Sequence, residues 1–181
     1  KADFLKLDLR WLGNLSNNPI NKSLKFKKTT DKDLEKGDKD LIKWWVPCRN
    51  SVFLINALAF AESKYLDNKE KYDVIIGLKH EGRVFMNDTT EKFVNKFNEL
   101  IKEATFHGLY RVIAPLIKLD KPEVVGLGKK LKVHFEFTYS CYIGAGFKEG
   151  KAVHCGRCLN CALRKKGFYW SGIKDESLYK E

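Results

Sequence analysis

The sequence predicts an α/β fold, a parallel sheet with helices on both faces, followed by a short segment organised around cysteines. Three observations lead there. Val74-Ile75-Ile76-Gly77 and Tyr110-Arg111-Val112-Ile113 are short apolar runs of the kind found in buried parallel strands. Segments of helical periodicity lie before, between and after them. Four of the five cysteines gather between positions 141 and 161.

The elements follow in chain order. Phe4-Leu5-Lys6-Leu7-Asp8-Leu9 alternates apolar and polar residues as a strand does. Residues 14–43 are polar and lysine-rich, with Asn17-Asn18-Pro19 as a turn signal, and read as a long loop whose most basic stretch is 22–43. Pro47 stands where a helix can begin, because the first turn tolerates a missing N–H. From Asn50 to Tyr65, Val52, Phe53, Ile55, Leu58, Ala59 and Ala61 recur at helical spacing. After the first apolar strand, residues 89–104 predict a second helix with Phe93, Val94, Phe97, Leu100 and Ile101 on one face. The second strand follows at 110–113. Asp120-Lys121-Pro122-Glu123 then opens a helix with Asp120 as N-cap, ending near Lys130 before a strand at Val133–Phe137. This divides the chain into an α/β part, 1–138, and a C-terminal segment, 139–181. Ligands of such folds bind beyond the carboxyl ends of the strands, here near Gly77–Glu81 and Pro115. Lys79, His80 and Glu81 either face that crevice or are solvated loop residues.

Composition bounds the function. A chain of 181 residues, 44% hydrophobic and 31% charged, suits one globular domain and excludes a disordered chain. The longest apolar stretch, Val52–Ala61, is interrupted by Asn56 and falls short of the ~20 residues that span a bilayer. With no export signal visible, a cytoplasmic, membrane-free protein is expected. A net charge of +11 fits a polyanionic partner or simply a lysine-rich, soluble surface. Modules that read bases display aromatic and basic residues on one exposed face. Phe and Tyr here fall mostly at core spacing, so direct nucleic-acid binding is not expected, although a zinc-bearing nucleic-acid module is the rival from another class.

The cysteines carry the strongest chemical signal. Cys155, Cys158 and Cys161 are spaced C-x2-C-x2-C, and Cys141 lies thirteen intervening residues upstream. That is metal-ligand spacing, and four soft thiolates match tetrahedral zinc. Gly156 permits the tight turn between two ligands. Four protein ligands leave no position for water, so one structural Zn²⁺ per chain is expected. His154 adjoins Cys155 and would reach the same ion poorly. Cys48, at a helix start beside Arg49, is read as a small buried residue rather than a nucleophile.

Thr138-Tyr139-Ser140-Cys141-Tyr142, Cys155-Gly156-Arg157-Cys158-Leu159-Asn160-Cys161, Leu163-Arg164 and Gly167-Phe168 together resemble the C-terminal part of 7-cyano-7-deazaguanine synthases. Val46-Pro47-Cys48-Arg49-Asn50 is similar to the V-P-x-R-N of that family. Ala114-Pro115-Leu116-Ile117 with Lys121, Glu123, Val124 and Leu127-Gly128 resembles its P-L-I…K-x-E-I-V-x-L-G segment. The resemblance covers about residues 46–173 and implies an adenine-nucleotide hydrolase-like, Rossmann-like α/β domain. It further implies a homodimeric, ATP-dependent ligase, with Mg²⁺ accompanying the ATP, that serves queuosine and archaeosine biosynthesis. In that reaction 7-carboxy-7-deazaguanine is adenylated, ammonia displaces AMP to give an amide, and a second activation dehydrates the amide to the nitrile.

Two departures stand out. No S-G-G-x-D-S phosphate loop is found, so the chain is expected to be a fragment lacking about the first third of the domain. In the substrate loop, Phe85-Met86-Asn87-Asp88 replaces an aromatic-Pro-Asp sequence and keeps the acid alone. That motivates a second reading, a relative that joins a deazaguanine to another amine or to a protein. Within the resemblance, Arg49 is the expected anion-binding residue and Asp88 the acceptor for a guanine-like N1–H and exocyclic amine. Their structural alternatives are a surface ion pair for Arg49 and a helix cap for Asp88. Arg164 is expected to pack beside the cysteine loop.

Overall fold

The computed structural model describes residues 4–16, 28–30, 45–79, 86–144 and 146–180. In order, the elements are α1 (Arg10–Asn14), α2 (Arg49–Asn68), β1 (Val74–Ile75), a 3-10 turn (Asn87–Thr89), α3 (Glu91–Ala104), β2 (Val112–Ile113), α4 (Lys121–Lys130), a second 3-10 turn (Phe135–Phe137), β3 (Phe147–Lys148), β4 (Lys151–His154), α5 (Leu159–Ser171) and β5 (Leu178–Tyr179).

The α/β reading holds in its coarse form, with a smaller sheet than expected. Among the described residues, β1 and β2 form a two-stranded parallel pair in register Val74↔Val112 and Ile75↔Ile113. One edge of that pair is closed by a side chain. Asn98 of α3 accepts from the Val112 N–H at 2.8 Å and donates to the Val112 carbonyl at 3.0 Å, satisfying the groups a further strand would use. The main core lies against this pair. Leu54, Leu58 and Ala61 of α2 and Val94, Phe97 and Ile101 of α3 meet Val74, Leu78, Tyr110 and Val112 in one buried cluster.

α4 opens as its sequence predicts. Asp120 accepts from the Glu123 N–H at 2.9 Å while the Glu123 carboxylate accepts from the Asp120 N–H at 2.7 Å. The strand expected at Val133–Phe137 is absent. Lys132 turns left-handed (φ 56°), and the N–H groups of Lys132 and Val133 return to the carbonyls of Lys129 and Gly128. This Schellman closure uses the N–H that strand pairing would need, and Phe135–Phe137 becomes a 3-10 turn. Phe4–Leu9 also forms no strand. The pattern is strand-like, but no partner strand lies beside it among the described residues, and Phe4 and Leu7 stay exposed.

The C-terminal segment holds an antiparallel β3–β4 hairpin, with β5 added parallel to β4. α5 packs on α4. Gly167 permits this approach, since a Cβ there would lie 2.6 Å from Lys121 Cγ. Most of the lysine-rich loop, including 31–43, lies outside the described residues. Its described piece is tied to the cysteine segment, because the Thr29 N–H donates to the Arg157 carbonyl at 2.9 Å. No helix among the described residues is long and apolar enough to cross a membrane.

Candidate functional site

The first constellation forms where α2 begins. Val46-Pro47-Cys48-Arg49 makes a turn in which the Arg49 N–H donates to the Val46 carbonyl at 3.2 Å. Cys48 is the left-handed hinge of that turn, at φ 54°. It is exposed, which corrects the expectation of a buried thiol: the hinge points its side chain away from the core. Asn50, in the first turn of α2, is buried, and its Nδ2 donates to the Asp88 backbone carbonyl at 3.1 Å. Its Oδ1 accepts from Arg49 Nε at 3.2 Å. Two segments 38 residues apart are thereby joined.

Asp88 is not the cap of α3. Thr90 takes that role, its Oγ1 accepting from the Phe93 N–H at 3.1 Å. Asp88 is only 7% exposed, and among the described residues neither carboxylate oxygen has a hydrogen-bond partner. Burial pushes its carboxyl above the usual range, while the Arg49 charge and, more weakly, the nearby backbone N–H groups of Asp88 and Asn50 pull it back. A buried, unpaired acceptor beside a cation is what a ligand carrying N–H donors would complete. The position fits as well. In the parallel β1–α3–β2 crossover, the start of α3 must lie beyond the carboxyl end of β1. Lys79 ends the described part of that strand's exit; His80, Glu81 and Phe85 lie outside the described residues.

The second constellation is the cysteine cluster. The sulfurs of Cys141, Cys155, Cys158 and Cys161 all lie within 4.8 Å of one another. Cys155 and Cys161 sulfurs are 3.8 Å apart, and Cys158 and Cys161 sulfurs 3.4 Å. Four thiolates about 2.3 Å from one ion stand about 3.8 Å apart at the corners of a tetrahedron, so the cage is of zinc size. The Cys155 N–H points at Cys141 Sγ and the Cys158 N–H at Cys155 Sγ, a pattern that supports thiolates. The hydrogen bond between Cys158 and Cys161 holds the first thiol low, at about 5, and pushes the second up. Gly156 sits at φ 71°, and a Cβ there would crowd the Lys180 carbonyl at 3.3 Å.

His154 stands outside the cage. Its Nε2 accepts from the Ser140 N–H at 3.0 Å, and its ring lies between Tyr139 and Tyr179. Arg164 packs beside the cluster as expected. It forms a two-pronged ion pair with Asp175, at 2.7 and 2.9 Å, and donates to Ser140 and to the Phe135 carbonyl. Asp175 also accepts from Tyr179 Oη at 2.6 Å. Between α4 and α5 runs an apolar cleft of about 340 Å³, walled by Leu127, Leu131, Val133, Phe135 and Phe168, with Lys121 at its rim. Sequence reasoning missed Asn50, Asp175 and this cleft. The Arg49-Asn50 pair inside the V-P-x-R-N match was the one available hint for the first.

Comparison with known proteins points the same way. The family model described as "Queuosine biosynthesis protein QueC" matches residues 1–172. A protein of Methanothermobacter thermautotrophicus named 7-cyano-7-deazaguanine synthase is 35% identical over 180 residues, covering 97% of this chain and 74% of that protein. A protein of the same name from Methanosphaera stadtmanae is 32% identical over 178 residues, with the same shares covered. One from Pyrococcus abyssi, again of that name, is 38% identical over 149 residues, 81% of this chain and 59% of that protein.

Proposed function

The chain belongs to the QueC family of queuosine biosynthesis proteins, and from that premise we propose that it converts 7-carboxy-7-deazaguanine and ammonia to 7-cyano-7-deazaguanine. ATP, with Mg²⁺, is the co-substrate, and the product feeds transfer-RNA base modification. The observation that carries the site assignment is the buried carboxylate of Asp88, unpartnered among the described residues and beside Arg49.

In this reading Asp88 accepts the N1–H and exocyclic amine of the deazaguanine, two donors for two oxygens. Arg49 binds the 7-carboxylate through its planar fork. A carboxylate must become a leaving group before an amine can displace its oxygen, so each activation transfers AMP from ATP to the substrate oxygen and releases pyrophosphate. Arg49 holds that oxygen in place for the transfer.

Cys141, Cys155, Cys158 and Cys161 would hold one Zn²⁺ as a closed structural site. It supplies no chemistry to the reaction; it fixes residues 139–181, which we treat as a zinc-binding segment appended to an α/β domain at 1–138. Ile75, exposed on the face of the β1–β2 pair opposite the core, supports a parallel sheet with helices on both faces, as in adenine-nucleotide hydrolase-like folds. Phe53, Ile55 and Phe60 remain exposed on α2 and support a homodimer through that helix. The protein acts in the cytoplasm on a small molecule, without direct nucleic-acid binding.

The test is catalytic. ATP should be consumed only when 7-carboxy-7-deazaguanine and ammonia are both present, and the product should have the mass of the nitrile. Turnover with an unrelated amine in place of ammonia would favour the second reading, in which a deazaguanine is joined to another amine or to a protein. The altered Met86-Asn87-Asp88 sequence is what supports that alternative.

A further inference from the structure

We infer that Asn50 is a positioning residue, the clamp that sets the distance between the anion-binding and base-binding halves of the site. The inference rests on the reading of Arg49 and Asp88 given above. Its basis is the use of both ends of one side-chain amide. The Asn50 carbonyl oxygen accepts from Arg49 Nε at 3.2 Å, and the amide nitrogen donates to the Asp88 backbone carbonyl at 3.1 Å. Asn50 itself is 4% exposed, so water does not compete for either bond.

Neither partner has another device of this kind. Arg49 is long and flexible, and its side chain makes no other hydrogen bond among the described residues. Asp88 sits on a three-residue 3-10 turn, an element too short to fix a side chain by itself. α2, by contrast, runs for 20 residues, and Leu54, Leu58 and Ala61 anchor it in the core. An amide on its first turn therefore refers both functional groups to a rigid element. The amide is also the side chain that can do this here. An acid at position 50 would face the Asp88 carbonyl with an acceptor, and a hydroxyl is too short to serve both partners.

The consequence is a ligand-length restriction. A planar base on Asp88 and a carboxylate on Arg49 must be separated by the span the clamp sets. A deazaguanine bearing its carboxylate directly on the ring offers a group to each of the two, whereas the unsubstituted base offers one to Asp88 alone. Loss of the clamp should therefore weaken the carboxylated base and erase most of its advantage over the plain base.

The experiment measures binding of 7-carboxy-7-deazaguanine and of 7-deazaguanine by calorimetry. It compares the wild type with Asn50→Ala, Asn50→Leu, Arg49→Ala, Asp88→Asn and the Arg49→Ala/Asn50→Ala double variant. Asn50→Ala should weaken the carboxylated base about tenfold and the plain base much less. The double variant should bind the carboxylated base within about threefold of Arg49→Ala alone, because Asn50 acts on the carboxylate through the guanidinium it holds. If Asn50→Ala does not fold, Asn50→Leu, uncharged and close to the native residue in volume, carries the same comparison. Losses that multiply in the double variant, or equal losses for both ligands, would reduce Asn50 to a core residue and overturn the inference. Full affinity in the Asn50 variants with weakened Arg49→Ala and Asp88→Asn would overturn it as well while leaving the site intact. Full affinity in all of them would overturn the site reading itself.

Discussion

Asp88 is a carboxylate that the fold buries without a hydrogen-bond partner among the described residues, and its linkage to pH follows from that. Burial raises its pKa, so the folded chain holds this proton more tightly than the unfolded chain does. The stability it contributes is present at low pH and is lost as pH rises through the raised value. Asp88→Asn should therefore stabilise the ligand-free protein at neutral pH, by about 1 kcal/mol, the lower end of the cost of an unsatisfied buried group. The same change should weaken binding of the carboxylated base by about 1–3 kcal/mol, because one of two acceptors is gone. Thermal melts and calorimetry on the same pair of proteins test both signs; a destabilised variant with unchanged affinity would contradict the assignment. The acid at position 88 was legible through the family motif. The bond from Asn50 was not, because it joins positions 38 apart and depends on where a 3-10 turn comes to rest.

At the scale of elements, helices were far more legible than strands. α2, α3 and α4 carry their own signals: a periodic apolar face, a Thr cap and an Asp–Glu capping box. β1 and β2 have two residues each, and nothing local distinguishes such a strand from any apolar loop. Val133–Phe137 failed as a strand because its first N–H was already committed to ending α4. The α4–α5 contact was illegible too, since it depends on a glycine whose role appears only across the interface. Gly167→Ala should displace the Lys121 stem and cost about 1–3 kcal/mol, measurable by chemical denaturation. An unchanged midpoint would mean that α4 and α5 slide apart freely.

Over the whole molecule, the C-terminal segment is secured by charge as well as by sulfur. Burial alone would raise Asp175, but hydrogen bonds from Arg164, Tyr179 and the Ser177 N–H outweigh it and bring its pKa to about 2. A depressed carboxylate contributes stability above its unfolded value, near 4, and loses it as pH falls toward 2. Asp175→Asn should thus melt well below the wild type at pH 7, by about 3–5 kcal/mol, since Arg164 is left buried without its counter-charge. The gap between the two should narrow on acidification; a gap independent of pH would show that the pair is not the cause. The sulfur half has its own test. Elemental analysis should find about one zinc per chain, and Cys158→Ser should release it and lower the melting temperature. A metal-free wild type of undiminished stability would remove zinc from the account.

The left-handed turn before α2 makes the thiol count a measure of metal occupancy. It turns Cys48 outward while the other four cysteines converge in the cage. A colorimetric thiol reagent added to the native zinc-loaded protein should therefore react quickly at a single sulfur and develop its remaining colour only as a chelator strips the ion. Because Cys48 adjoins Arg49, the proposed anion-binding residue, a fluorophore fixed on it should on that proposal also sense a carboxylated base arriving next door, so one labelled preparation could report ligand binding and metal content together.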